Sequence, residues 1–265
     1  MQTLLRRIYL VLPTAALLVL AGCYTVPETG RKSVNVPPAS QEMQLGFSEF
    51  EKMEQQVPIS KDAEANALVK RVGGRIAAVA PLPGAQWEFV VFDSREAHAF
   101  CLPGGKVGVY TVILPITKDE AGLATVIGHE VAHAVARHGG ERISQGLGLQ
   151  VAGAALGVAT AGHEYGALIN QAYGMGAQLG VALPHSRAQE SEADRIGLIY
   201  MARAGYDPEA AVQFWQRFAD YNRQRGGDAG AWFLRTHPLD EKRIADLQKW
   251  MPAAKAEYRA RPGTP

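Results

Sequence analysis

The chain has 265 residues, 47% of them hydrophobic and 20% charged, with a formal charge of +1 at neutral pH. That is enough apolar material for one sizeable domain with a real core, and too even a charge for a nucleic-acid partner.

Arg6 and Arg7 followed by the apolar run Ile8 to Leu20 read as a secretory leader. Pro13 interrupts the run, which is short for a membrane span. It ends Leu20-Ala21-Gly22-Cys23, which resembles the lipobox of bacterial lipoproteins, where the cysteine becomes the acylated first residue. An ordinary signal peptide or an uncleaved anchor is the other reading. With Tyr24 next, the resemblance implies an outer-membrane lipoprotein facing the periplasm, held through lipidated Cys23. Removing residues 1–22 leaves 243 residues at charge −1, and leaves Cys101 without a disulfide partner. Cys101 then reads as a small apolar strand residue rather than a nucleophile.

Residues 23–40, rich in proline, read as a tether ahead of a domain spanning 41–255, with 256–265 as a tail. Gln41–Gln56 and Lys61–Ala80 have helical periodicity, and Trp87–Phe92 is strand-like. Ala99–Leu102 and Lys106–Tyr110, joined through Pro103-Gly104-Gly105, form a hairpin. A small sheet ahead of a helical body makes the class α+β, mainly helical.

Thr117 and Glu120 read as a capping box. Leu123, Val126, Ile127, Val131 and Ala134 continue a buried helix to about His138, where Gly139-Gly140 stops it. Inside lies His129-Glu130-Val131-Ala132-His133. On a helix its histidines stand at i and i+4 on one face, where they can share a zinc ion, with Glu130 beside it to take a proton from water. A carboxylate in a buried helix also needs a partner, and such a site supplies one. His138 reads as a helix-end residue outside the site.

Gly146 to Leu183 is rich in glycine and alanine and almost continuously apolar. It reads as a helical hairpin packed by small-residue contacts, with His163 at its solvent-facing bend, and either covers the cleft or touches a membrane. Ser186 and Gln189 then read as a second capping box. On that helix Glu190 and Asp194 are i,i+4 neighbours, while Glu192 points about 160° from Glu190. The pair suits a division of labour, Glu190 as third metal ligand and Asp194 accepting the spare N–H of a ligating histidine. An acidic, solvated helix start is the alternative. Thr236 and Pro238 open a further helix reaching Leu247.

His129–His133 followed by Glu190-Ser191-Glu192-Ala193-Asp194-Arg195-Ile196-Gly197 resembles the gluzincin metallopeptidases of the HtpX and CAAX-prenyl-processing type, in particular a bacterial, Oma-like branch. Ala99–Gly105, Ala204-Gly205-Tyr206-Asp207-Pro208 and Thr236-His237-Pro238 with Arg243 and Ile244 extend the likeness over Gln41–Trp250. It implies one zinc ion on His129, His133 and Glu190, Glu130 as general base, and a zinc endopeptidase acting on misfolded or misassembled envelope proteins. His237 and Arg243 are implied to approach the metal, His237 either stabilising the oxyanion or filling the open position. A strand beside the zinc is implied to pair with substrate backbone, and Gly104, Gly105, Lys106, Val107 and Gly108 are the candidates, a purely structural hairpin being the alternative. His98 departs from the asparagine usual before Ala-Phe. The competing class is a chaperone-like outer-membrane assembly factor with a latent metal site.

Overall fold

Apolar periodicity in the sequence becomes the following elements in the computed structural model, which describes residues 22–177, 183–224, 237 and 241–259. They are β1 (Cys23–Thr25), β2 (Lys32–Val34), α1 (Ala39–Gln56), α2 (Ala63–Ala77), β3 (Glu88–Phe92), β4 (Ala99–Leu102) and β5 (Lys106–Tyr110). A 3-10 turn at Thr111–Ile113 leads to α3 (Leu114–Thr117), α4 (Glu120–Val135), α5 (His138–Thr160) and α6 (Gly166–Ala177). Then come α7 (Leu183–Arg203), α8 (Glu209–Gln224) and α9 (Glu241–Arg259). The chain divides into two units, 1–42 with 137–186 and 43–136 with 187–265. The architecture is α+β and mainly helical, as the sequence predicts.

In the larger unit the sheet order is β3-β5-β4, with β5 parallel to β3 and antiparallel to β4. Pro103 and Gly104 (φ +89°) make the tight turn between β4 and β5, closed by the Gly105 amide on the Leu102 carbonyl at 3.2 Å. Phe50 from α1 packs edge-on against Phe92 and Phe100, and with Val90 and Tyr110 these form a buried cluster under the sheet. Beyond β3, Ile59 bridges to Phe92, and Ser60 and Asp93 bond Val91 and Pro58 across the gap. The C-terminal end of that outer edge, Val91 to Asp93, is thereby paired.

The helix bearing the histidines starts and stops differently from its predicted bounds. Thr117 is not its cap: its hydroxyl bonds the Leu114 carbonyl at 2.7 Å and ends the short α3, which Pro115 favours at its first turn. Lys118 turns the chain with φ +71°, and Asp119 in extended conformation accepts the Gly122 amide at 2.8 Å. At the far end Arg137, not Gly139-Gly140, breaks the helix, with φ +54°. Its guanidinium bonds Glu42 at 2.6 Å and the Pro37 carbonyl at 2.8 Å, which holds a left-handed conformation costly for a non-glycine residue. His138 is consequently the fully buried first residue of α5.

In the smaller unit the segment predicted as a tether carries the β1–β2 hairpin. Tyr24 and Ser33 face inward, while Cys23 and Thr25 stand outward opposite Val34 and Lys32. Arg31 ties it to α5 by a two-pronged pair with Glu141 at 2.7 and 2.8 Å. The predicted helical hairpin is present as α5 and α6, with His163 exposed at the bend. Asn170 reaches back to Thr160 at 3.0 Å and Gly166 lies against it, but a side chain at Gly146, Gly148 or Gly157 would meet nothing. Close small-residue packing is therefore confined to the turn. The predicted leader, the cap residues Thr236 and Pro238, and the tail beyond 259 lie outside the described residues.

Candidate metal centre

Helix α4 sets His129 above His133 on one face and Glu130 beside them, and all three are buried. Helix α7 crosses it closely because both contact positions are glycine. A Cβ on Gly197 would lie 2.8 Å from the His129 nitrogen, and one on Gly128 would lie 3.0 Å from the Gly197 oxygen. That approach brings Glu190 and Asp194, one turn apart on α7, to the histidines. Glu190 Oε2 is 3.3 Å from His129 Nε2, and Oε1 is 3.3 Å from His133 Nε2. The acidic-helix-start alternative fails on burial: Glu190 is 2% exposed.

His237 joins the same cluster. Its Nδ1 is 2.9 Å from Glu190 Oε2 and 3.2 Å from His129 Nε2, and the two α4 histidines are 3.2 Å apart at Nε2. Four donors on a tetrahedral zinc with bonds of 2.0–2.1 Å stand about 3.3 Å from one another; the distances from His129 to His133, Glu190 and His237 match that spacing, and all four donors lie within 4.8 Å of one another. His237 Nε2 meanwhile lies 3.5 Å from Glu130 Oε1.

Asp194 Oδ1 stands 3.0 Å from His129 Nδ1, the place for a carboxylate that fixes the ring's tautomer. Arg243 donates to both Asp194 oxygens at 2.7 Å and to the His237 carbonyl at 3.2 Å, so one guanidinium anchors the carboxylate and the backbone of the fourth donor. Trp215 on α8 completes the support, unmarked in the sequence among the other aromatics of its helix. Its buried ring carries Arg243 at 4.2 Å and meets the His129 ring edge-on at 5.6 Å.

The charges follow from these contacts. Burial would raise the Asp194 and Glu190 carboxyls. Arg243 outweighs it at Asp194, and His133 with the surrounding histidine hydrogen bonds outweighs it at Glu190, so both are held below the usual carboxylate range. Burial favours neutral His129, yet its bonds to Asp194 and Glu190 raise its pKa to about 9. A metal ion entering here competes with that proton. His98, buried against Phe100 and Tyr110, is pushed down to about 3 by burial and by the nearby His237. Burial, with Glu130 nearby, pushes the Cys101 thiol up, consistent with an inert residue.

The substrate strand expected at Gly104–Gly108 needs correction. Lys106, Val107 and Gly108 belong to β5, whose two edges are taken by β3 and β4. The three glycines make room for the protein's own rings: added Cβ atoms would strike Phe47 from Gly104, Trp87 from Gly105 and Phe100 from Gly108. Strand β4, packed along α4, is the terminal strand on that side of the sheet.

The profile of Peptidase family M48 matches residues 63–251. The chain is 38% identical to the mitochondrial metalloendopeptidase OMA1 of Saccharomyces cerevisiae, over 67% of this chain and 50% of that protein. It is 40% identical to the Schizosaccharomyces pombe protein of the same name, over 71% and 54%. The beta-barrel assembly-enhancing protease of Escherichia coli is 27% identical over 84% and 46%. The chain thus spans about half the length of these curated relatives. The comparisons correct the predicted address: relatives at 38% and 40% identity are mitochondrial by name, against an expected outer-membrane lipoprotein. A short basic and apolar leader ending in cysteine does not by its chemistry specify a compartment.

Proposed function

The chain belongs to peptidase family M48, a family of metallopeptidases, and on that premise we propose that it is a zinc-dependent endopeptidase with His129, His133 and Glu190 as its resident metal ligands. The observation that carries this reading is the buried cluster itself, three donors at zinc spacing with Glu130 alongside and not among them. Zinc, when bound, polarises the scissile carbonyl and acidifies the attacking water. Glu130 takes the proton of that water and later delivers it to the leaving nitrogen. Asp194 holds the His129 tautomer, Arg243 holds Asp194, and Trp215 supports both.

Substrate lies along β4 as an added strand, since β4 is the end strand beside α4. Within the family, the identity to the OMA1 proteins supports the Oma-like reading, alongside the HtpX-like motifs. Substrates are unfolded or misassembled polypeptides, and the name of the E. coli relative, a beta-barrel assembly-enhancing protease, supports incompletely assembled β-barrel proteins as one such class. Cys23, exposed on β1, is the candidate acyl attachment point, with no membrane assigned to it.

A second reading is favoured by His237. Its Nδ1 occupies the place of a fourth donor, and a closed four-ligand zinc is the pattern of a structural or resting site. The chain would then act as a chaperone-like assembly factor, or as a latent peptidase released when His237 moves aside. The deciding experiment measures zinc content and cleavage of unfolded casein for the wild-type chain and Glu130→Gln. One zinc in each and cleavage by wild type alone supports the endopeptidase. One zinc in each and no cleavage by either supports the latent reading. Native-rate cleavage by Glu130→Gln overturns the proposed role of that residue.

A further inference from the structure

Among the described residues, every exposed large apolar side chain except Leu45 and Ile59 lies in the smaller unit, on β2 and the strand end beyond it or on the α5–α6 hairpin. On α5, Ile143, Leu147, Val151 and Val158 fall within about 80° of arc at 100° per residue, and the last two are 71% and 79% exposed. Tyr165, Leu168 and Ile169 extend the apolar surface across the bend to α6. From Ile143 to Gly162 the sequence has no ionisable side chain. Neither helix is long and apolar enough to cross a membrane. We propose that this hairpin rests on the surface of a lipid bilayer, with its apolar stripe among the acyl chains and lipid headgroups at the β1–β2 end.

Three features favour lipid over protein as the occupant. The α5 stripe is about 22 Å long and one helix wide, an elongated strip rather than the compact patch of roughly 800 Å2 per partner that a stable protein interface buries. A bilayer asks for no shape-matched counterpart. The base of the stripe opens on a groove of about 390 Å3 lined by Lys32, Val34, Ser144 and Gln145, with Cys23 and the Arg31–Glu141 pair at its side. Lys32 gives that groove a cation for a phosphodiester. Finally, Cys23 pairs directly with Val34 on the outer face of the hairpin, so an apolar anchor entering the unit at Gly22–Cys23, whether peptide or acyl chain, emerges beside the same surface.

The test places a reporter on the stripe. Full-length chain carrying Val151→Trp, or Leu168→Trp as an independent position on α6, is reconstituted in phosphatidylethanolamine–phosphatidylglycerol vesicles. Both sites are well exposed, so the larger side chain meets no packed neighbour. Emission is compared between vesicles with brominated and ordinary acyl chains, after subtracting the unsubstituted chain and its four native tryptophans. The added emission is expected to fall to about half or less in brominated lipid at either position, while that of Ile59→Trp in the other unit does not change. Equal emission in the two lipids overturns the proposal, as does failure of the chain to co-float with vesicles. Emission insensitive to bromine but shifted by protein dilution reassigns the stripe to a second copy. A shift on adding casein instead reassigns it to unfolded polypeptide. Either reassignment overturns the lipid assignment.

Discussion

Arg243 is buried among Asp194, the His237 carbonyl and the Trp215 ring, and its guanidinium balances a carboxylate that has no access to water. Arg243→Ala leaves Asp194 charged and uncompensated, so a loss of about 3–5 kcal/mol in urea denaturation is expected. Trp215 depends on the same contact, and a Trp215→Leu chain should lose part of that stability too. His237 poses a different question, because its ring competes for a place that substrate would need. Under the latent reading, His237→Ala is expected to weaken zinc affinity about 10-fold, read by competition with a chelator, while raising casein cleavage. Lower cleavage with unchanged zinc affinity would instead assign the ring to oxyanion stabilisation. The histidine and glutamate pair of α4 is readable from residue spacing alone, since i,i+4 geometry is local. The approach of His237 to His129 across 108 residues is a property of the folded chain.

At the scale of elements, the centre depends on how closely α4 and α7 cross. Gly197→Val would place a branched side chain against the backbone at His129 and Gly128, which cannot yield as a flexible side chain can. We expect a destabilisation of about 1–3 kcal/mol by thermal melting, together with at least a 10-fold loss of zinc affinity as Glu190 is drawn back. A variant that melts lower but keeps full affinity would show that the crossing supports stability alone. The strands teach a related lesson. The resemblance implies that Lys106–Tyr110 is an edge strand open to substrate, yet it is central because the chain returns β5 between β3 and β4. Strand order is long-range, and composition cannot express it. The helix end differs for a long-range reason as well: Gly139-Gly140 predict a stop, whereas the ion pair of Arg137 with Glu42, 95 residues away in the chain, stabilises a break two residues earlier.

For the whole molecule, the buried histidines make stability a function of pH. His98 titrates near 6.5 when unfolded and at about 3 in the fold. Its neutral ring therefore contributes fully above pH 6.5, and the contribution drains away as pH falls toward 3. At pH 5 the loss is about 2 kcal/mol. His98→Asn, which restores the residue usual at this place in the resembled family, is expected to lose less stability than wild type between pH 7.5 and 5. Urea midpoints at the two values measure it. Equal losses in the two chains would mean that His98 is not held neutral in the fold. The two units also carry different surfaces, one gathering the metal donors and the other the exposed apolar hairpin.

The sequence by itself determined the chemistry available: two histidines one helical turn apart, a glutamate between them, and a second helix with two carboxylates one turn apart. It also determined the α+β class and the helical hairpin, because each follows from periodicity within a single segment. Tertiary structure decided which groups share one centre. The glycine crossing of Gly128 and Gly197, the arrival of His237, and the support from Arg243 and Trp215 all join segments far apart in the chain. Tertiary structure also made β4 the end strand and left the α5 stripe uncovered. The physical reason is the same throughout: backbone geometry propagates over a few residues, whereas partners at a hundred residues' separation are chosen by packing.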